Sequence, residues 1–208
     1  MNVKQDFIKF PLHLIVHPFD GFWDLKYEGK GRMKVALTVL LLVIITMIVQ
    51  KQFSGFLVNF NDPRYLNSMD ELKYIVLPFF LWCISNWSIT TLMEGEGKFK
   101  EIVMATAYAL IPLVLIYLPT TLVSNFMANE ETAFYYLLNV VASIWFIYLL
   151  FIGTMTVHQY TASKTIMTML LTVVVMGIIV FLGTLMFSLV QQIFEFVYNV
   201  YKEIIFRT

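Results

Sequence analysis

The chain has 208 residues, of which 59% are hydrophobic and 13% carry a formal charge, and its net charge is zero. A soluble domain devotes about a quarter of its residues to charge, so these charges are too few to cover a water-facing surface of this size. The neutral balance gives no footing for nucleic acid, and a single cysteine, Cys83, excludes an intramolecular disulfide.

Residues 1–33 read as a cytoplasmic or interfacial leader. Phe7 to Pro18 is apolar but too short to span a membrane, and Phe19, Phe22, Trp23 and Tyr27 are interleaved with Asp20, Asp24 and Lys26. Aromatics mixed with charges suit the headgroup region. One or two short helices are expected, broken at Pro18 or at Asp20-Gly21. No cleavable signal peptide is expected, because the first long apolar run starts near Val35 with no small-residue cleavage site behind it.

Five uncharged runs follow. Lys34 and Lys51 enclose 16 residues, Lys73 and Glu94 enclose 20, Glu101 and Glu130 enclose 28, Glu131 and Lys164 enclose 32, and Lys164 and Glu195 enclose 30. A hydrocarbon core of roughly 30 Å takes about 20 helical residues. The first run is short, but its flanking lysines can snorkel and Phe53 prolongs the apolar face. The runs are too long, and lack the alternation, for outer-membrane strands. The expected fold is therefore an all-α integral membrane protein, a five-helix transmembrane bundle with an N-terminal interfacial amphipathic segment. Its spans are about 34–53, 74–93, 102–127, 133–157 and 166–193. Together, 34–193 form one membrane domain, and 194–208 form an amphipathic tail on the outer side that can prolong the fifth helix. Pro112 and Pro119 each remove a backbone donor and bend or break the third span.

The connections orient the chain. The N-terminal region and the loops after the second and fourth spans hold nine Lys or Arg, against five on the other side. The positive-inside rule then places the N-terminus in the cytoplasm and the C-terminus outside a multi-pass cell-membrane protein. In the long outer loop, Asn59, Asn61-Asp62-Pro63 and Asn67-Ser68 form turns. Ser68 caps the second span, with Asp70 and Glu71 in its first turn.

No ionisable residue lies in the middle of any span, which argues against a pump or a proton-coupled transporter. Intramembrane catalysis needs paired Asp, a Ser/His pair or a zinc motif within the spans, and none is present. No catalytic, metal or cofactor site is expected. His13 and His17 stand at i and i+4 but lack a third zinc ligand. Ser85, Asn86 and Ser88 in the second span, with Asn139 and Ser143 in the fourth, are candidate interhelical polar contacts; the alternative is the lining of a path for a neutral solute. The loop Glu94-Gly95-Glu96-Gly97-Lys98 is the most distinctive motif. Its two glycines permit positive φ in a tight turn, and it reads either as a solvated turn or as a docking loop.

Gly95-Glu96-Gly97-Lys98-Phe99, followed by Ala105-Thr106-Ala107-Tyr108-Ala109-Leu110-Ile111-Pro112, resembles the signature of the Yip-type (Ypt-interacting protein) membrane domain. The leader from Pro18 to Gly31 is similar to that of firmicute-type bacterial members. The resemblance covers nearly the whole chain and draws Tyr108 and Pro112 into the candidate docking region. It implies a non-enzymatic membrane protein. Eukaryotic relatives bind prenylated small GTPases, but the chain lacks their acidic leader motif, so that role does not carry over. Bacterial relatives are often accessory subunits, some of them of ABC-type transporters. The expected function is an accessory or scaffold role beside an ABC-type transporter or another copy of the chain, in contact with membrane lipids. The alternative is a channel or transporter for a neutral or lipid-like solute.

Overall fold

A computed structural model describes residues 9–60 and 67–206. The expected turn at Asn61-Asp62-Pro63 and the first eight residues of the leader lie outside the described residues. Eight α-helices are described: α1 (Phe10–Val16), α2 (Pro18–Lys26), α3 (Met33–Phe53), α4 (Ser68–Leu92), α5 (Phe99–Ala109), α6 (Ile111–Val123), α7 (Thr132–His158) and α8 (Ala162–Phe206). α3, α4, α5 with α6, α7 and α8 make five segments long and apolar enough to cross a membrane. The chain is thus a multi-pass helical membrane protein. The end holding α1, α2 and the loops 93–98 and 159–161 is called the near end below, and the opposite end the far end.

The leader breaks at His17 (φ −125°, ψ 73°), because a residue before proline is driven out of the helical region. α1 and α2 then pack onto the near end of the bundle. Leu14, Phe22 and Leu25 are buried in the common core. The Phe10 ring meets the Tyr108 ring edge to face, with centroids 5.7 Å apart. α2 lies close against α7 because Gly153 has no side chain: a Cβ there would stand 3.0 Å from the Phe22 ring. The outward faces keep Val16, Phe19, Trp23 and Tyr27 exposed. The leader is thus docked on the bundle with one apolar face and open with the other.

α4 starts six residues before the expected span, at Ser68. The cap is Asn67 rather than Ser68: its side-chain oxygen accepts from the Met69 N–H at 3.0 Å. Asp70 and Glu71 favour the positive end of the helix dipole. Glu71 also pairs with Lys51, which ties the start of α4 to the end of α3.

The third span is broken at Leu110, between α5 and α6. Pro112 has no N–H to offer the Tyr108 carbonyl, and its ring crowds that group. The turn is closed instead by shorter bonds, Leu110 N–H to Ala107 O and Leu113 N–H to Leu110 O, both 3.1 Å. α5 is the centre of the molecule, with every residue from Ile102 to Ala109 buried. Its alanines let α3, α4 and α7 approach closely. At the far end, the Gly55 N–H donates to Ser124 Oγ at 2.8 Å and Asn125 Nδ2 donates to the Phe53 carbonyl at 2.9 Å, joining α3 to α6. α8 is a single helix of 45 residues, about 68 Å at 1.5 Å per residue, and runs well past the expected span end at residue 193.

Candidate functional site

The glycine-acid loop lies at the near end, folded down onto the α7–α8 connection. Its backbone turn is made by Glu94, which takes a left-handed φ of 57°. Gly95 and Gly97 do not have positive φ; among the described glycines that conformation falls to Gly29. The loop glycines are needed for room. A Cβ on Gly95 would lie 2.6 Å from both His158 Nδ1 and the Tyr160 hydroxyl, and one on Gly97 would lie 2.6 Å from His158 Cε1 and Val157 Cγ1.

Polar contacts use that close approach. The Gly97 N–H donates to His158 Nδ1 at 3.3 Å, so the proton of the neutral ring sits on Nε2. The Tyr160 hydroxyl donates to the Met93 carbonyl at 3.1 Å. α7 can deliver these side chains because Gln159 (φ 54°) ends it in a left-handed turn, which swings Tyr160 back beneath the loop. The His158 ring stacks on the Tyr160 ring, centroids 5.4 Å apart, and the Lys164 ammonium stands 4.4 Å from the Tyr160 ring centre. Burial and the nearby Glu94 carboxylate hold the Tyr160 phenol above its ordinary pKa.

α2 closes the loop from the other side. Lys26 Nζ lies 2.9 Å from Glu96 Oε2; the lysine side chain is 8% exposed and the glutamate side chain 60%. The Tyr27 hydroxyl donates to the same oxygen at 3.3 Å. The Lys26 hydrogen bond and charge hold the Glu96 carboxyl below its ordinary range. Burial pulls the Lys26 ammonium down, but the Glu96 and Tyr27 contacts outweigh it, and its pKa stands above the usual lysine value. Lys98 is the N-cap of α5, and its N–H donates to Glu101 Oε2 at 3.0 Å. Tyr108 lies deeper, fully buried, and its hydroxyl accepts from the Arg32 N–H at 3.4 Å.

Beside the clamp runs an open groove of about 300 Å³, lined by Phe19, Asp20, Trp23, Thr156, Gln159 and Tyr160 among others. Trp23 and Tyr27 stack at 4.3 Å. The Asp20 carboxylate has no ion-pair partner among the described residues. The His13 and His17 rings stack at 5.1 Å, and among the described residues no three His, Cys, Asp or Glu come together to hold a metal ion.

The five polar positions in the spans part company. Asn86 Nδ2 donates to Thr172 Oγ1 at 3.3 Å, joining α4 to α8. Ser143 Oγ and the Tyr117 hydroxyl lie 3.0 Å apart, joining α6 to α7. Ser88 Oγ donates within its own helix to the Ile84 carbonyl at 2.9 Å. Ser85 Oγ and Asn139 Oδ1 are buried without a hydrogen-bond partner. The space beside Asn86, walled by Thr106, Thr154 and His158, is about 10 Å³, room for one water at most. A larger cavity of about 300 Å³ opens between α4, α5, α7 and α8, with apolar walls that include Phe79, Trp82, Phe146 and Met176.

The sequence reading overlooked His158, Tyr160 and Lys26 as partners of the loop. A signal for them was present: with five spans, the leader and the loops after the second and fourth spans emerge at one end. Aromatic and basic groups at those three places therefore stand within reach of the glycines.

The chain matches no curated protein and no solved structure. The Yip1 domain family matches it over residues 12–184, from α1 into α8. The matched stretch takes in the docked leader, the clamped glycine-acid loop and the broken third span, and on this match the chain belongs to the Yip1 domain family of membrane proteins.

Proposed function

We propose that this chain is a non-enzymatic accessory or scaffold protein of the cell membrane, and that its near end faces the cytoplasm and docks a partner membrane complex, an ABC-type transporter. The observation that carries the reading is the clamp. Lys26, Glu96, Gly97, His158 and Tyr160 fix α2 and the loop 93–98 to one another, so Phe19, Asp20 and Trp23 are presented on a rigid support beside the groove. Exposed aromatics on rigid elements make good anchors, because little side-chain entropy is lost on binding. A carboxylate with no ion-pair partner among the described residues selects a basic partner surface. The lysine and arginine bias supports the cytoplasmic orientation.

The test is affinity purification of a tagged chain in mild detergent, beside Asp20→Lys and Trp23→Ala variants. The reading expects a stoichiometric transporter partner with the unaltered chain. It expects loss of that partner with either variant at unchanged thermal stability. A lone monomer in several detergents, or a partner retained by both variants, overturns it.

A second reading, passage or storage of a lipid-like molecule, is favoured by the 300 Å³ apolar cavity between α4, α5, α7 and α8. The water-sized space at Asn86 gives a polar solute no comparable route. Native mass spectrometry that finds no lipid on the purified chain, and none displaced by Phe79→Trp, removes this reading.

A further inference from the structure

α8 is too long for its role as a span. About 20 of its 45 residues suffice to cross the hydrocarbon core, which leaves roughly two dozen beyond it at the far end. Every residue from 189 to 206 is exposed. Among them are Phe194, Phe196, Tyr198 and Tyr201, each more than 60% exposed. Apolar surface on this scale is not left in water.

The distribution around the helix identifies what covers it. At about 100° per residue, Thr184, Ser188, Gln191, Gln192, Glu195, Asn199, Lys202 and Glu203 all fall within one arc of about 120°. Phe206 is the apolar residue inside that stripe, with Leu185 at its edge. The remaining arc of about 240° is Leu, Ile, Val, Met, Phe and Tyr. A seam with a second helix needs an apolar stripe of about 100°, so a dimer through this segment leaves half of the arc bare. A second crossing of the membrane is excluded, because it puts Glu195 and Lys202 into the hydrocarbon. A broad apolar arc with a narrow charged stripe is the pattern of a helix lying in the membrane surface.

We propose that residues 184–206 fold over at the far end and lie along the membrane interface, with the apolar arc in the acyl region and the polar stripe toward water. The fold-over point is Gly183-Thr184. Nothing stands within 4 Å of a Cβ built on Gly183, and the Thr184 hydroxyl donates to the Phe181 carbonyl at 2.8 Å. Glycine weakens a helix at such a point, and hydroxyl bonds to the preceding turn bend it. The direction is consistent. Thr165, Thr168 and Thr172 form the buried side of α8, and they project within the same arc as Val190, Val197 and Ile204. Bending toward that side therefore turns the apolar arc down, toward the far end of the bundle and the membrane surface around it.

The test uses the full chain in vesicles of phosphatidylcholine and phosphatidylglycerol. Single cysteines are introduced in a Cys83→Ala background and labelled with bimane, three on the apolar arc (Val190, Val197, Ile204) and three on the stripe (Ser188, Glu195, Asn199). The inference expects lipids brominated near the headgroup to quench the apolar-arc probes several-fold more than the stripe probes, and aqueous iodide to do the reverse. Equal iodide quenching of both sets means a helix standing in water and overturns the inference. So does disulfide cross-linking of Val190→Cys and Val197→Cys between copies, which means a second copy covers the arc. This outcome is independent of whether the near end docks a partner.

Discussion

The clamp at the near end depends on two missing methyl groups. Gly97 meets His158 and Val157 at distances a Cβ cannot hold, and the atoms in the way include a ring already fixed by Tyr160 and the loop backbone. Gly97→Ala is therefore expected to cost about 1 to 3 kcal/mol by overpacking, read as a fall in thermal midpoint in detergent. Glu94→Gly relieves a left-handed non-glycine residue and is expected to raise stability, by about 1 kcal/mol at most. If the loop were a solvated turn, Gly97→Ala would be silent. The Lys26–Glu96 pair adds a pH dependence of known sign. The Glu96 carboxyl is lowered in the folded chain, so the folded state holds fewer protons than the unfolded one through the ordinary glutamate range. Its contribution is present above that range and is lost as pH falls through the lowered value. Lys26 is raised, so its contribution is present below the ordinary lysine value and is lost as pH rises through the raised one. Unfolding followed from pH 3 to 12 is expected to lose part of both slopes in the Lys26→Met, Glu96→Gln double variant. Both slopes unchanged would remove the pair from the clamp.

Among the elements, uncharged length was a sound guide to the five membrane-crossing helices, and Pro112 to the break in the third. These are local properties: a run without charge has one solvent to go to, and proline acts on its own turn. What the sequence could not place was any contact made across sixty or more residues. The glycines at 95 and 97 read as turn formers, and only the presence of His158 and Tyr160 beneath them reveals a packing role. The polar residues of the spans show the same limit. Asn86, Ser85 and Ser88 sit within one turn of α4, yet one bonds across to α8, one is buried unpaired and one bonds its own helix. Their fates are set by which face meets a neighbour. Thr172→Val keeps the shape but removes the acceptor for Asn86, and is expected to cost about 0.6 to 2 kcal/mol. Ser85→Ala removes a buried hydroxyl without a partner, and is expected to be neutral or stabilising. Thermal unfolding of the two variants in one detergent separates these outcomes; equal losses would show that both positions matter only through packing.

In the whole molecule the two ends are built differently. The far end joins α3 to α6 through Ser124 and Asn125, while the near end is closed by a separate piece of chain, the α1–α2 leader. That piece reaches the core by inserting Phe22 against Gly153 and Phe10 against Tyr108, and it carries the exposed Phe19, Asp20 and Trp23. If the leader docks the partner, stability and docking are coupled through the Phe22–Gly153 contact, which lies on neither the groove nor the loop. Gly153→Leu fills the space of the Phe22 ring from the α7 side. It is expected to lift α2 from the bundle, break the Lys26–Glu96 pair and make the near end sensitive to protease. The spans, which insert by their own hydrophobicity, should stay in the membrane. If the docked leader is the docking surface, the same variant loses the partner even though every groove residue is intact, and Phe22→Ala, which vacates the space without pushing, loses less. Proteolysis at residues 26–32 and partner recovery, measured together on both variants, decide the point: a protease-sensitive leader with undiminished partner recovery would move the docking surface off α2 and onto the spans.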